Sequence, residues 1–322
     1  MRSYLPDPAI LQKAMKLRHL DRKDIDQAAD LDELIEDMDA FLSLGVRHRM
    51  QTPLRTLLST QSGEGLLVAM PSYSPDLGLF TTKLGTVIKP GGGDKAASVN
   101  TLVAAFDAVT GRAIATVDGC GITHLKCAAL TAVVTRYCSA SDAHSLGVVG
   151  AGALACAQIV GIARVRQLSE ISVYARSSGS AEMLRRNLAE RHNFHTPLSF
   201  SGSVEEAVRN KMVVATSTTS RQALIDAGWL VESVHVNCMG ARSHETTELD
   251  PLALKDSILL VEDVDTAVQE AGPTHRSGIV LEEMMRLRAR LPVGRTVFSS
   301  SGHGAFDMLA TAHVIRRAGL LS

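Results

Sequence analysis

The most specific chemistry in the chain lies in the run SLGVVGAGALACAQIV, residues 145–160. An apolar stretch, Leu146–Val149, leads into Gly150-Ala151-Gly152-Ala153-Leu154-Ala155, which is the alanine form of the G-x-G-x-x-G dinucleotide fingerprint. Each small residue has a physical reason. Gly150 permits the tight turn out of the strand, and Gly152 lets a pyrophosphate approach bare backbone. Ala155 is small enough for close helix–strand packing. The helix that starts at Ala153 and Leu154 turns its unpaired N–H groups and positive dipole end toward the phosphates. A Gly/Ala-rich turn with no ligand is the competing reading. The strand before the motif, the helix after it and the repeating strand–helix units beyond favour the nucleotide. An acidic residue at the end of the next strand, Ile171–Tyr174, would hold the ribose 2′-hydroxyl of NAD. The sequence offers Arg176, Ser177 and Ser178 instead, which suit a 2′-phosphate. NADP(H) is therefore the expected cofactor, with NAD(H) as the alternative. Thr216, Ser217, Thr218, Met239 and Gly240 follow two later strands and are expected to line the same crevice, because ligands bind at strand carboxyl ends in such sheets.

These residues need a scaffold. After residue 138 short apolar strands, Leu146–Val149, Ile171–Tyr174, Met212–Thr216, Val234–Cys238 and Ile258–Val261, alternate with helical stretches such as Ser180–Arg191. That alternation predicts an α/β fold with a doubly wound, Rossmann-type parallel sheet. The first half differs. Residues 1 to about 48 carry helical periodicity at Leu34, Met38, Phe41 and Leu42. Short β-like runs follow at Leu54–Ser59, Leu66–Met70, Leu79–Val87, Thr101–Phe106 and Ala113–Val117, punctuated by Pro and Gly turns. Val109-Thr110-Gly111 reads as a hairpin turn. Thr123 reads as the N-cap of a helix through Cys138, and Gly304–Ala318 as a final helix that returns to the first domain. The expected division is a β-rich α+β substrate and dimerisation domain over 1–125, completed by 297–322, and a dinucleotide domain over 126–296.

Composition narrows the partners. The chain has 322 residues, 45% of them hydrophobic and 21% charged, with a formal net charge of -1. No basic excess exists to neutralise a phosphate backbone, and aromatics are 4%, so nucleic acid is not an expected partner. Five cysteines without a C-x-x-C pair argue against a disulfide framework or a metal site and for a reducing, cytoplasmic setting. The apolar stretch from Leu146 to Val165 is broken by glycines and Gln158, so it reads as a buried strand and helix and no membrane association is expected.

Blocks in order along the chain carry a resemblance. They are MQTPLRT (50–56), LLVAMPSYS (66–74), TTKLGTV (81–87), TGRAIATVDGCGITHLKCAALTA (110–132), GVVGAGALA (147–155), VNCMGARSHETTELD (236–250) and VFSSSGHGAFD (297–307). Together they resemble the ornithine cyclodeaminase / mu-crystallin family over about residues 45–320. The resemblance implies a nucleotide domain and a substrate domain with the substrate in the cleft between them, and a homodimer. It matches Arg55 to the family arginine that clamps the substrate carboxylate, a task suited to a planar fork of donors. Lys83 matches the lysine that touches substrate, as a carboxylate ligand or a proton donor. Lys126 stands where the family more often has arginine, near the cofactor phosphates and substrate. His303 lies in a Gly-rich loop that the resemblance places near the cofactor.

Two departures bear on function. True cyclodeaminases carry an aspartate two residues after the glycine matching Gly240, where this chain has Arg242. They carry a glutamate two residues before the Met-Pro pair, where this chain has Val68. Without those acids the obvious general base for deamination is missing. The mu-crystallin and imine-reductase branch also lacks them. The leading expectation is therefore reduction of a small cyclic α-imino acid, of the pyrroline-2-carboxylate or piperideine-2-carboxylate ketimine type, by NADPH. Arg242 could hold a second acidic group of the substrate. The rivals are an amino-acid dehydrogenase of the same family acting on an open-chain amino acid or conjugate, an ornithine cyclodeaminase, and a crystallin-like protein that binds NADP(H) without turnover.

Overall fold

The structure, a computed structural model, describes residues 17–88, 98–240, 248–287 and 294–321. The chain opens with β1 (Arg18–Leu20), α1 (Arg22–Ala28) and α2 (Leu31–Ser43). Asp21 and Asp30 accept first-turn N–H groups and cap the two helices. The helical stretch expected to about residue 48 thus ends at Ser43, with a short 3-10 turn over Val46–Arg49.

Strands β2 (Thr56–Ser59), β3 (Gly65–Ser74), β4 (Leu79–Ile88), β5 (Ser98–Asp107) and β6 (Ala113–Asp118) form an antiparallel meander, and β1 closes it by pairing parallel with β6. Side chains alternate across it. Lys83 pairs in register with Met70 and Val103, and Val103 is 1% exposed, which places Lys83 on the inner face. Phe80, Leu84 and Leu102 occupy the outer face and are 45%, 36% and 36% exposed.

Helix α3 (Gly119–Cys138) starts four residues before the expected N-cap. The cap is Asp118, whose carboxylate accepts the N–H groups of Cys120 and Gly121 at 3.0 and 3.1 Å. Gly119 and Gly121 look like a turn in sequence, but both are pinned by packing. A Cβ on Gly119 would press on Thr101, and one on Gly121 on Ile25 and Arg22. Thr123 therefore sits inside the helix, with its hydroxyl donating to Gly119 O at 2.7 Å. The helix is buried through most of its length. The expected boundary at 125/126 falls inside it.

The second sheet contains β7 (Ser145–Val149), β8 (Glu170–Tyr174), β9 (Ser199–Phe200), β10 (Val213–Thr216), β11 (His235–Cys238), β12 (Ile258–Val261), β13 (Ile279–Val280) and β14 (Thr296–Ser299). All pair parallel in the order β13-β12-β14-β11-β10-β7-β8-β9. Helices α4 (Ala153–Val165), α5 (Ser178–His192), α6 (Val204–Val208), α7 (Pro251–Lys255), α8 (Val264–Ala271) and α9 (Leu281–Leu287) connect the strands. Strands β7, β8, β10, β11 and β12 stand where periodicity placed them. Strand β14 corrects the expected return at residue 297. It lies between β11 and β12 inside the nucleotide sheet, because Thr296, Val297 and Phe298 pair with both neighbours. The chain leaves that sheet only with α10 (Gly304–Arg317), which packs on α3, β3 and β4. Among the described residues no helix is long and apolar enough to cross a membrane.

Candidate functional site

The nucleotide crevice is built at the point where the strand order reverses, between β7 and β10. Gly150 has φ +110, a conformation that favours glycine, and a Cβ there would lie 2.9 Å from Ser217 O. Gly152 is the N-cap of α4, has no side-chain cap, and a Cβ built on it would meet nothing within 4 Å. Open space therefore lies over first-turn amides that no helix carbonyl can take, including those of Ala153 and Leu154. Ala155 is buried under the turn, as the fingerprint requires. This cradle fits a dinucleotide pyrophosphate. Arg176 is exposed just after β8, while the Ser177 hydroxyl is taken up as the N-cap of α5 by accepting Ser180 N–H at 3.2 Å.

Glu248 is a residue that periodicity missed. It is 1% exposed, and its carboxylate accepts Thr216 Oγ1–H at 2.7 Å, Thr218 N–H at 2.6 Å and Gly240 N–H at 2.9 Å. One carboxylate thus ties the loop after β10 to the loop after β11. A Cβ on Gly240 would overlap it, which explains the glycine. Thr216 and Met239 were expected to line the crevice, but they are 0% and 6% exposed and support it from beneath. Ser217 keeps a buried hydroxyl with no hydrogen-bond partner. Glu248→Ala leaves three donors unpaired, each an unfavourable loss. We expect the Kd for the nicotinamide dinucleotide to rise about tenfold, roughly 1.4 kcal/mol, with kcat at saturating cofactor nearly unchanged. An isothermal titration beside steady-state rates checks this.

The substrate side is assembled from three elements. Lys83 on β4 donates to Thr123 Oγ1 at 2.6 Å and to Asp307 Oδ1 at 2.9 Å. Since the Thr123 hydroxyl is itself donating to Gly119 O, its lone pair faces Lys83. The third Lys83 N–H has no partner among the described residues, and the side chain is 12% exposed. Lys126 Nζ approaches Asp307 Oδ1 at 3.7 Å and its side chain is 4% exposed. Lys126, expected near the cofactor phosphates and substrate, places its ammonium in a buried ion pair with Asp307. Burial opposes the Lys126 charge, but the Asp307 carboxylate outweighs it and raises the lysine above its usual range. Burial likewise works against the Asp307 anion, yet Lys126 and Lys83 hold its carboxyl below the usual value. Asp307 in the first turn of α10 is the second residue that sequence reasoning passed over. A carboxylate inside the otherwise apolar GAFDMLA was the available signal.

Arg55 is held from the other domain. Its Nη2 donates to Ser301 O and Gly302 O, both at 2.8 Å, and its Nε lies 3.2 Å from Glu270 Oε1. The Nε contact is an ion pair without hydrogen-bond direction, as Nε is also a buried donor with no hydrogen bond. The carbonyls are turned toward Arg55 by Glu262, just after β12. Its carboxylate is 0% exposed and accepts Ser300 Oγ–H, Ser301 N–H and Gly302 N–H at 2.5, 3.0 and 3.2 Å. Gly302 completes the loop with φ +76. Arg55 Nη1 has no protein partner among the described residues. His303 is 5% exposed, caps α10 by accepting Ala305 N–H at 3.3 Å, and meets Thr52 Oγ1 at 3.3 Å. Burial, then the Arg47 charge, lowers its pKa. It joins the 52–55 segment to α10 rather than opening on the crevice. Arg242 lies outside the described residues.

The structure therefore brings Arg55, Lys83, Lys126 and Asp307 to one seam beside the nucleotide crevice. Its cations exceed what a buried carboxylate needs, which suits a substrate that carries a carboxylate.

Known proteins share this architecture. A model of the ornithine cyclodeaminase/mu-crystallin family matches residues 14–314. The chain is 26% identical over 285 residues to ketimine reductase mu-crystallin of Rattus norvegicus, covering 86% of this chain and 89% of the relative. It superposes on the Delta(1)-pyrroline-2-carboxylate reductase of Thermococcus litoralis, solved with NADH and L-proline, with TM-score 0.83 at 24% identity, over 94% of this chain and 97% of the other. An archaeal alanine dehydrogenase dimer with bound NAD gives TM-score 0.81 at 22% identity, over 94% and 96%. The chain belongs to the ornithine cyclodeaminase/mu-crystallin family.

Proposed function

We propose that this chain reduces a small cyclic α-imino acid, of the pyrroline-2-carboxylate or piperideine-2-carboxylate type, with NADPH. The observation that carries the reading is the Lys83 ammonium, with two of its three donors fixed by Thr123 and Asp307 and the third unclaimed. When bound, the nicotinamide supplies hydride to the imine carbon. Arg55 Nη1 holds the substrate carboxylate and so fixes the ring plane. Lys83 donates its remaining proton to the imine nitrogen, which raises the electrophilicity of the carbon. Asp307 is shared with Lys126, so it orients Lys83 without giving it a whole counter-charge. Val68 supports reduction over deamination, since no carboxylate occupies that inner-sheet position.

The names of relatives agree. Mu-crystallin of the rat is a ketimine reductase, and the Thermococcus litoralis enzyme was solved with NADH and L-proline, the saturated counterpart of the five-membered ring imine acid. Arg176 is the reason to favour NADPH over NADH, because its exposed guanidinium stands beside the start of α5. Arg176→Ala should lower the NADPH:NADH ratio of kcat/KM about tenfold. An unchanged ratio removes Arg176 from cofactor choice.

We also assign the outer face of the six-stranded sheet to a second copy of the chain. Phe80, Leu84, Ile88 and Leu102 expose 36–45% of their surface on one face of β4 and β5, an apolar patch of the kind that marks an interaction face. The archaeal alanine dehydrogenase is a dimer. Sedimentation of Leu84→Glu should show monomers where the wild type shows dimers. A wild-type monomer contradicts the assignment.

The test of the reaction is steady-state NADPH oxidation with three substrates. Rapid turnover of the cyclic imine acid is expected. Faster turnover of an open-chain keto acid with ammonia would make it an amino-acid dehydrogenase, and ammonia release from ornithine a cyclodeaminase. No hydride transfer with any of them would leave a nucleotide-binding protein without turnover.

A further inference from the structure

A second cavity, of about 380 Å³, lies among α1, α3, α4 and α5. Its walls are helical, and apart from Ala153 at the start of α4 it shares no residue with the nucleotide crevice or the Arg55–Lys83 seam. Volumes of this size hold drug-sized ligands. The floor is small and apolar, with Ala128, Ala157 and Val160 where longer side chains would close the gap. The rim is cationic. Arg22, Arg164 and Arg191 line it against the carboxylates of Asp26 and Glu190.

The guanidiniums are held in place before any ligand arrives. Arg22 Nε bonds Asp26 Oδ1 at 2.9 Å, and its Nη1 donates to His124 Nδ1 at 2.7 Å. Arg191 Nη2 bonds the other oxygen of Asp26 at 2.5 Å. One carboxylate thus serves two guanidiniums. Arg22 Nη2 and Arg191 Nε and Nη1 have no protein partner among the described residues. His124 accepts from Arg22 because burial, and then the Arg22 charge, lower its pKa to about 4 and keep it neutral.

We propose that this cavity is a binding site for a small molecule with an apolar body and a single anionic group, the body on the alanine floor and the anion between Arg22 and Arg191. The occupant would touch both halves of the machinery from behind. His124 adjoins Thr123, the partner of Lys83, and Ala153 begins the helix that follows the phosphate turn. The site stands independently of the proposed reaction.

Fluorescence of 8-anilinonaphthalene-1-sulfonate, titrated into full-length protein saturated with NADP+, tests it. One saturable site is expected, displaced by 1-naphthoate at least tenfold better than by the neutral 1-naphthamide. Ala157→Leu fills the floor and should abolish binding while the melting temperature and imine reduction stay near wild type. Arg191→Glu, at a rim position 38% exposed, should weaken binding at least tenfold and serves if the first variant does not fold. Dye excluded by NADP+ would assign the signal to the crevice and overturn the proposal. Dye bound equally by both variants, or naphthamide competing as well as naphthoate, would overturn it too. Imine turnover is unaffected by any of these outcomes, so the two readings fail separately.

Discussion

Lys83→Met lowers kcat for imine reduction by about 10³-fold, the scale of a lost general acid, while the Kd for NADPH moves less than about threefold. The reason is positional. Thr123 cannot substitute as a donor, since its hydroxyl proton is committed to Gly119 O. Lys126 cannot substitute either, as its side chain is 4% exposed and tied to Asp307. Methionine keeps the length of the side chain and leaves Asp307 paired with Lys126, so the fold survives. Steady-state rates with the cyclic imine acid and a separate cofactor titration read the two effects. A fall of less than tenfold would hand the proton to a bound water and reduce Lys83 to a carboxylate ligand.

Gly152→Val raises the Kd for NADPH by about 100-fold, roughly 2.7 kcal/mol, with a melting temperature near that of the wild type. This position separates binding from folding unusually well. A Cβ at Gly152 meets no protein atom within 4 Å, so a branched side chain there starts in the open space over the first-turn amides, where a pyrophosphate would sit. Gly150 is a poorer test, because its φ of +110 and the nearby Ser217 carbonyl would strain the turn regardless of ligand. Calorimetric titration and a thermal melt suffice. Unchanged affinity in a folded Gly152→Val protein would move the nucleotide elsewhere.

The sequence showed the parts whose physics is local. The fingerprint turn needs small residues at fixed offsets, and the structure puts Gly150, Gly152 and Ala155 in those roles. The long strands of both sheets follow from alternation and apolar runs. What stayed hidden depends on contacts distant in sequence. Glu248, Glu262 and Asp307 are each buried and each holds donors from other parts of the chain, Glu248 and Asp307 from separate elements and Glu262 from the single loop after β14. For Glu248 and Glu262 nothing in the neighbouring periodicity reports that; only Asp307, inside the apolar GAFDMLA, carries a local sign. The start of α3 was placed at Thr123 because its hydroxyl suits an N-cap, whereas Asp118 is the cap and Gly119 and Gly121 are required by crowding against Thr101 and Ile25. Strand β14 was assigned to the wrong half for a similar reason. Its four residues carry no mark of which sheet they join until β11 and β12 flank them.

Transfer of label from the cofactor is the most direct measurement of the whole reading. Purified protein is mixed with the cyclic imine acid and NADPH carrying deuterium at both hydrogens of nicotinamide C4, and the product is analysed by mass spectrometry and NMR. A saturated ring acid bearing one deuterium at the carbon next to its carboxylate is the expected result. An unlabelled product, or no product while cofactor binds normally, would contradict hydride delivery at this site.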